Sequence, residues 1–210
     1  GGRSAAMKPF QSLDCAAVPI QQANVDTDQI LPARYLQKPR SDDFGAYLFR
    51  DLRYLPDGSE KPDFLLNQSA YRTARIVVAD RNFGCGSSRE HAVWALSDYG
   101  FRVAIAPSFG DIFASNALKN GFLPVVLAKD VVDGLLEQIA RAPGMHLVVD
   151  LESQQVRTPA GAVHRFDVDP FAKHCLLEGI DEISYTLSLL PAIEAFEARL
   201  DYSQFAKDSQ

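Results

Sequence analysis

The feature that most constrains the fold is a regular alternation of short apolar runs with segments of helical spacing, which begins at residue 74. The apolar runs have the length of buried strands, and glycines close the first two helical segments. This order is typical of βαβ units, so it predicts an α/β fold with parallel strands covered by helices. The predicted strands are 74–79, 103–106, 123–127 and 146–151, and the predicted helices are 89–99, 112–120 and 131–142.

The chain before residue 74 is less regular. An apolar stretch at 11–20 leads into a polar loop at 24–29, whose residues favour bonds to their own backbone. The region 37–68 is rich in charge, proline and glycine, so it is predicted to be an excursion from the core or an insertion.

The two ends of the chain carry simpler signals. Residues 1–6 are small and patternless, so we interpret them as a remnant ahead of a natural start at Met7, with 7–210 forming a single domain. Beyond residue 151 the predicted elements are a hairpin of 155–158 and 163–166, a helix at 170–177, and a helical tail over 183–210 in which Pro191 begins a helix of 193–200.

Charge and cysteine content exclude several functional classes. The net charge is −6 and the basic residues are scattered, unlike the basic surface of a nucleic-acid-binding protein. All apolar runs are shorter than the roughly 20 residues that cross a bilayer, and no signal-peptide pattern is present. The three cysteines are odd in number and widely spaced, unlike a disulfide framework. We therefore expect a cytoplasmic protein with reduced thiols and with neither a nucleic-acid nor a membrane partner.

The segment with the clearest chemical content is Asn-Phe-Gly-Cys-Gly-Ser-Ser-Arg-Glu-His at 82–91, between a predicted strand and a predicted helix. Gly84 and Gly86 allow a tight turn close to a ligand, and the following helix offers unpaired amides and a partial positive charge. A dinucleotide fingerprint would need glycine at Arg89, and a Walker loop would need Gly-Lys before its hydroxyl residue. The segment therefore predicts an anion cradle, and neither nucleotide-binding motif is present.

Ser87 has two possible roles. With Glu90 three residues later it has the sequence pattern of a capping box, which opens many ordinary helices. However, Ser87 and Ser88 also stand beside Arg89, whose planar fork can hold a carboxylate through two parallel bonds. The combination favours a site for an acidic ligand, although local pattern alone leaves the capping role open.

Two neighbouring side chains offer weaker alternatives. His91 lies inside a predicted helix, where a packing role is more common than a catalytic one. Cys85 could act as a nucleophile with His91 as its partner, but isolated cysteines are commonly inert. A metal site of Cys85, His91, His174 and Cys175 would need distant segments to converge, and we expect no metal on this chain.

The early polar loop offers a second acidic candidate. Asn24, Asp26 and Asp28 alternate as calcium ligands do in an EF-hand, but that loop needs glycine at Gln29 and glutamate at Tyr35. The carboxylates are therefore expected to organise a turn, cap a helix or orient a neighbouring arginine.

Residues 24–32 and 82–92 together closely resemble the isopropylmalate dehydratase small-subunit family of the aconitase superfamily. Further motifs of that family match at 106–113, 119–121 and 166–179. The resemblance implies a three-layer β/β/α swivelling domain like the aconitase C-terminal domain. It also implies a large-subunit partner that carries a 4Fe-4S cluster on three cysteines, with none bound by this chain.

The resemblance also implies roles for individual residues. Ser87 matches the base that removes a proton next to a substrate carboxylate, and Ser88 and Arg89 match substrate-binding residues. The implied reaction removes water from 2-isopropylmalate to give 2-isopropylmaleate and adds it back to give 3-isopropylmalate, in leucine biosynthesis. The residues expected to support this site are Asp26, Thr27, Asp28, Gly84, Gly86, Glu90 and His91.

Substrate choice in this family is thought to depend on the loop that matches 33–37. Arg34, Tyr35, Leu36 and Gln37 are therefore expected to contact the substrate. An arginine at Gln37 would suit an extra substrate carboxylate, so its absence favours the apolar isopropyl group.

Several alternatives stay open at this point. The chain could be the small subunit of a related methylmalate or dimethylmaleate hydratase or of a homoaconitase, with the same serine and arginine but another substrate. It could also be a non-catalytic assembly subunit, or a free-standing module that binds an acidic metabolite.

Overall fold

Seven strands form one mixed sheet in the computed structural model, which describes residues 7–199 of the chain. Numbered in chain order, the strands lie in the sheet in the order 4-3-2-1-5-6-7. Strands 1 to 4 pair in parallel with their neighbours. The pairs 1–5, 5–6 and 6–7 are antiparallel. In chain order the strands are β1 (Ser12–Ile20), β2 (Ile76–Ala79), β3 (Val103–Ala106), β4 (Leu123–Val126), β5 (His146–Asp150), β6 (Gln155–Arg157) and β7 (Val163–Arg165).

The helices cover this sheet and build its loops. Helix α5 packs against β1, β2 and β3, while α3 and α4 pack against each other and α4 also contacts β4. Four further short segments, Ala33–Tyr35, Phe44–Tyr47, Leu65–Asn67 and Ser69–Tyr71, are 3₁₀ helices. The α-helices are α1 (Thr27–Ile30), α2 (Arg50–Arg53), α3 (Glu90–Tyr99), α4 (Asp111–Lys119), α5 (Lys129–Arg141), α6 (Pro170–Glu178) and α7 (Glu182–Glu197).

The predicted α/β class is confirmed, and the strands and helices predicted between residues 74 and 178 lie within two residues of those observed. The direction of one strand differs from the βαβ expectation. Strand β5 follows helix α5 but runs antiparallel to β1 rather than extending the parallel half. The sheet is therefore mixed, as in folds that add an antiparallel edge to a parallel core.

Strand β1 joins the two halves of the sheet. Residues 12–16 pair with antiparallel β5, and their side chains alternate in exposure. Residues 17–20 pair with parallel β2, and Ala17 and Val18 are fully buried there. A strand covered on both faces needs continuous apolar sequence, which explains why β2 and β3 are buried at every position.

Residues 37–68 add no strand to the sheet, but they contribute side chains to the hydrophobic core. It contains only short helical turns, yet Phe44 and Phe49 are almost fully buried in the main hydrophobic cluster. Arg53 is also buried, and its guanidinium donates to the main-chain carbonyls of Gly45 and Leu48. The predicted insertion, which we call the insert, therefore packs as part of the same core.

The C-terminal helix begins earlier than predicted. Asp181 caps α7 by accepting a hydrogen bond from the amide of Ser184 at 2.7 Å, and Pro191 lies inside the helix. The prediction that Pro191 starts the helix was therefore wrong, because the capping signal at Asp181 acts ten residues earlier. The predicted remnant at 1–6 and the tail at 200–210 lie outside the described residues. Within residues 7–199, every helix is too short or too polar to cross a membrane.

Candidate active site

The loops after β1 and β2 lie side by side at the carboxyl edge of the parallel strands. The amide of Gly84 donates to the carbonyl of Val25 at 2.7 Å, and the amide of Thr27 donates to the carbonyl of Cys85 at 2.9 Å. These bonds place the segments 24–28 and 82–91 against each other, as ligand sites in open α/β sheets are commonly arranged. The two segments that carry the family resemblance thus form one surface.

The two glycines of the second loop serve different purposes. Gly84 has φ +75°, and a Cβ added there would lie 2.3 Å from the ring of Phe113. The loop after β3 is equally close, since a Cβ on Gly110 would lie 2.5 Å from the carbonyl of Gly84. Gly86 has φ +93°, but a Cβ there would meet nothing nearer than 3.5 Å, at Asp26. Gly84 is therefore required for packing, whereas Gly86 is required only for the turn.

Ser87 does not cap helix α3. The helix begins at Glu90 with Arg89 at the N-cap position, and the Arg89 side chain makes no capping bond. The carbonyl of Ser87 accepts a hydrogen bond from Oγ1 of Thr27 at 3.1 Å, which holds Ser87 outside the helix. The carboxylate of Glu90 instead accepts a bond from Nδ2 of Asn120 at 2.9 Å. The capping box proposed at Ser87 and Glu90 is therefore wrong, and both Ser87 and Ser88 are exposed.

A capping box does exist in the first loop. The Asp26 carboxylate accepts the amide of Gln29 at 2.7 Å, and the Gln29 side chain accepts the amide of Asp26 at 3.0 Å. This pair opens helix α1 and holds the buried Thr27 in place. The prediction that these carboxylates cap a helix is confirmed for Asp26.

Asp28 holds Arg89. Its Oδ1 accepts a hydrogen bond from Nη1 of Arg89 at 2.9 Å, and the same oxygen accepts the amide of Ala33 at 3.0 Å. The Arg89 hydrogen bond, with that amide, holds the pKa of Asp28 below its usual value. The prediction that a carboxylate of this loop orients an arginine is confirmed. The contact uses one of the five N–H donors of the guanidinium.

His91 makes the contacts of a packing residue. Its ring lies 4.4 Å from the indole of Trp94 and 5.8 Å from the ring of Phe44, measured between centroids. Burial lowers the pKa of His91, so the neutral form is favoured.

The loop 33–37 is fixed by the insert. Arg34 makes a two-pronged ion pair with Asp51 on helix α2, and this contact raises the pKa of the guanidinium. Tyr35 stacks on Tyr47 with 4.2 Å between ring centroids. Leu36 packs against the core, and Gln37 is exposed. Of the four residues of this loop that were predicted to contact substrate, Arg34 is thus already paired with a carboxylate of this chain.

The chain matches known proteins along most of its length. Residues 7–130 match the aconitase C-terminal domain family, and residues 133–170 match the family described as LeuD_N. The 3-isopropylmalate dehydratase small subunit of Afipia carboxidovorans is 50% identical over 193 residues, covering 92% of this chain and 96% of that protein. The small subunit of Xanthobacter autotrophicus is 50% identical over 191 residues, covering 91% of this chain and 95% of that protein. This chain belongs to the 3-isopropylmalate dehydratase small-subunit family.

The fold agrees with a solved archaeal structure. The 3-isopropylmalate dehydratase LeuD of Methanocaldococcus jannaschii is 24% identical, with a TM-score of 0.63, over 89% of this chain and 99% of that one. The swivelling-domain fold expected for this family is therefore confirmed.

Metal-binding side chains do not converge in the part of the chain that the structure describes. Nowhere in residues 7–199 do three His, Cys, Asp or Glu side chains come together in a geometry that could hold a metal ion. Cys85 is half-buried and Cys175 is buried, and both are free thiols. The donors needed for an iron-sulfur cluster are thus not assembled by the described part of the chain.

Two residues of this small subunit were missed by sequence reasoning. Asp51 lies in the insert, where no local pattern marks it as the partner of Arg34. Asn120 lies within a matched family motif, but nothing in the sequence shows that it bonds both Glu90 and Trp94. Contacts between segments so far apart leave no signal in a single sequence.

Proposed function

We propose that this chain is the small subunit of 3-isopropylmalate dehydratase and acts in the cytoplasm in leucine biosynthesis. With a large subunit it interconverts 2-isopropylmalate and 3-isopropylmalate through 2-isopropylmaleate. The observation that carries the proposal is the exposed pair Ser87 and Ser88 beside Arg89, which Asp28 holds at 2.9 Å. The names and extent of the relatives support the same assignment.

Ser87 is the proposed base. An isolated serine is a poor base near neutral pH, so the oxyanion that accepts the proton must be stabilised. Ser87 precedes helix α3, whose first two amides, at Glu90 and His91, lack intrahelical partners and carry partial positive charge. Arg89 adds a full positive charge two residues away. The position of Ser87 outside the helix, fixed by Thr27, leaves its hydroxyl free of a capping role.

Arg89 is the proposed clamp for a substrate carboxylate, together with Ser88. A guanidinium can bind a carboxylate through two parallel bonds, provided that its plane is fixed. Asp28 restrains the guanidinium through one hydrogen bond to Nη1 and is itself held by the amide of Ala33. The substrate is therefore bound as an anion whose acidic C–H faces Ser87.

The other half of the site is proposed to lie on the large subunit. Removal of a hydroxyl group benefits from a Lewis acid, which a 4Fe-4S cluster on the large subunit would supply. This chain contributes the proton acceptor and the carboxylate clamp, and its exposed serines face outward to be covered by the partner. Neither subunit is expected to turn over substrate alone.

The first test measures the dehydration of isopropylmalate, and ultraviolet absorbance monitors the reaction. It is run with this chain alone and then with the chain mixed anaerobically with a cluster-loaded large subunit. Activity only in the mixture supports the divided site. Turnover by this chain alone would refute it, and tight binding of isopropylmalate to the isolated chain would favour a free-standing binding module.

A second test separates catalysis from assembly. Ser87→Ala is expected to assemble with the large subunit but to lose about a hundredfold to ten-thousandfold in kcat, as loss of a catalytic base does. Ser153→Ala, an exposed serine far from the site in sequence, is the matched control. Near-normal turnover by Ser87→Ala would instead support a non-catalytic assembly subunit.

The substrate is tested with a panel of malate derivatives on the assembled pair. The proposal predicts the highest kcat/KM with isopropylmalate. A preference for methylmalate, dimethylmaleate or a homoaconitase substrate would assign the chain to that related enzyme.

A further inference from the structure

Helix α7 carries an apolar surface that the described part of the chain leaves uncovered. All its residues are exposed except Tyr185, which is half-buried. Within residues 7–199, six of the eleven exposed large apolar side chains lie on this one helix. Such a concentration marks an interaction surface rather than ordinary solvent-facing residues. The six are Ile183, Leu187, Leu189, Leu190, Ile193 and Phe196.

Tyr185 packs α7 against helix α6. Its ring lies 5.1 Å from that of Phe171 and 5.3 Å from that of His174, measured between centroids. Ile183 and Leu187 are each two residues from Tyr185, which places them about 160° away from it around the helix. They are 74% and 57% exposed. Closer packing of α7 on α6 would therefore still leave Ile183 and Leu187 in water.

The helix receives little stabilisation from its own chain. It has 16 residues and buries none of them, and helices of about this length are marginal in water without packing. Pro191 lies inside it and removes a main-chain hydrogen bond. A helix with apolar side chains on more than one side is typical of a helix surrounded by other structure. These features indicate that a second chain covers α7.

The charges on α7 indicate the chemistry of that second chain. Residues 181–199 contain four acidic side chains and one basic side chain, Arg199. Two copies of the helix would therefore bring together more like charges than opposite ones in either orientation, which disfavours self-pairing.

Two of the acidic residues lie where the helix itself disfavours them. Glu194 and Glu197 are in the last turn, at the negative end of the helix dipole. Among residues 7–199, no Lys, Arg or His forms an ion pair with either of them. An apolar groove bordered by lysine or arginine would suit both the apolar residues and these carboxylates.

We propose, resting on the function proposed above, that α7 is a docking helix for the large subunit, which receives it in an apolar groove bordered by basic side chains. Ile183, Leu187 and Leu190 repeat at helical spacing along one face and enter the groove. Glu194 continues the same face and pairs with a basic side chain at the rim. The helix thus contributes affinity for the partner and takes no part in the chemical step.

The test measures the Kd of the full-length chain for the cluster-loaded large subunit, by anaerobic biolayer interferometry. Leu187→Ser and Ile183→Ser are each expected to raise that Kd by about tenfold or more, as loss of a central apolar anchor does. At saturating large subunit, kcat should stay near the wild-type value. Val163→Ser is the matched control, because Val163 is 50% exposed but lies on β7, and its loss should leave the Kd unchanged.

The acidic end of the helix is tested separately. Glu194→Gln is expected to slow association by about twofold to fivefold at low salt and to reduce its salt dependence, because a charge at the rim acts mainly on the association rate. Glu137→Gln, which removes an exposed glutamate near the end of α5, is the control and should change neither.

Three results would overturn the proposal. The first is an unchanged Kd in Leu187→Ser and Ile183→Ser. The second is a lower urea midpoint for the isolated Leu187→Ser chain, because the rest of the chain would then cover Leu187. The third is self-association of the isolated wild-type chain that Leu187→Ser abolishes in sedimentation velocity, because a second copy would then be the occupant. A wild-type pair that binds normally but fails to dehydrate isopropylmalate would refute the proposed function and leave this interface standing.

Discussion

Asp28 and Arg89 are 61 residues apart in sequence, yet Oδ1 of Asp28 lies 2.9 Å from Nη1 of Arg89. The same oxygen accepts the amide of Ala33 at 3.0 Å. The Asp28 carboxylate thus links Arg89, the proposed carboxylate clamp, to the loop 33–37, which is predicted to contact the substrate. The orientation of both depends on a residue that need not touch the substrate itself.

Replacing Asp28 should therefore weaken substrate binding without abolishing chemistry. Asp28→Asn is expected to lower kcat/KM by about tenfold to a hundredfold, mainly through KM, because Arg89 loses a charge-assisted partner. Steady-state kinetics of the reconstituted pair measures this. Asp14→Asn, which removes an exposed carboxylate at the same 2.9 Å distance from His146, is the control. A loss confined to kcat would contradict a positioning role.

The two glycines of the loop before Ser87 should differ in their tolerance of a methyl group. Gly84→Ala places a Cβ 2.3 Å from the nearest atom of the Phe113 ring, at positive φ, so it should cost about 2 to 5 kcal/mol of folding free energy. Gly86→Ala strains the backbone but makes only ordinary van der Waals contacts, the nearest at 3.5 Å to Asp26, so about 1 kcal/mol is expected. Urea unfolding of the isolated chain measures both, and equal losses would contradict the packing argument.

His91 should give the stability a defined pH dependence. Burial lowers its folded-state pKa below 6.5, so as the pH falls the unfolded chain takes up the proton first. The stability from neutral His91 is thus complete above about 6.5 and is lost as the pH falls towards the folded-state pKa. The urea concentration at the midpoint of unfolding should decrease more between about pH 8 and about pH 5.5 in the wild type than in His91→Gln. An identical pH response in the two proteins would show that His91 does not contribute.

Asn120 should connect the start of helix α3 to the end of helix α4. Its Nδ2 donates to Glu90 at 2.9 Å, and its Oδ1 accepts the indole N–H of Trp94 at 3.1 Å. Asn120→Ala should cost about 1 to 3 kcal/mol and change the emission of Trp94, the single tryptophan of the chain. Asn120→Asp keeps the acceptor for Trp94 but loses the donor to Glu90. It should therefore lose stability while its emission stays near that of the wild type.

Much of the fold was predictable because its signals are local. The lengths of the apolar runs and the helix-ending residues Gly100 and Gly179 specify strands and helices within a few residues of chain. The direction of β5 was not predictable, because it depends on which edge of β1 was free to pair. The start of α7 was predicted wrongly for a different reason. Pro191 was taken as the first helical residue, but Asp181 caps the helix ten residues earlier and Pro191 lies within it.

By itself, the sequence indicated which residues we propose to carry the chemistry: the Ser87-Ser88-Arg89 run, the glycines before it and the carboxylates of the first loop. Their types and spacing are local properties that a reader of the chain can recognise. Only the tertiary structure decided that Arg89 rather than Ser87 stands at the N-cap of α3, that Asp28 holds Arg89, and that Asp51 engages Arg34. The physical reason is that these contacts join residues that are separate in sequence, and only the folded backbone brings their side chains within hydrogen-bonding distance.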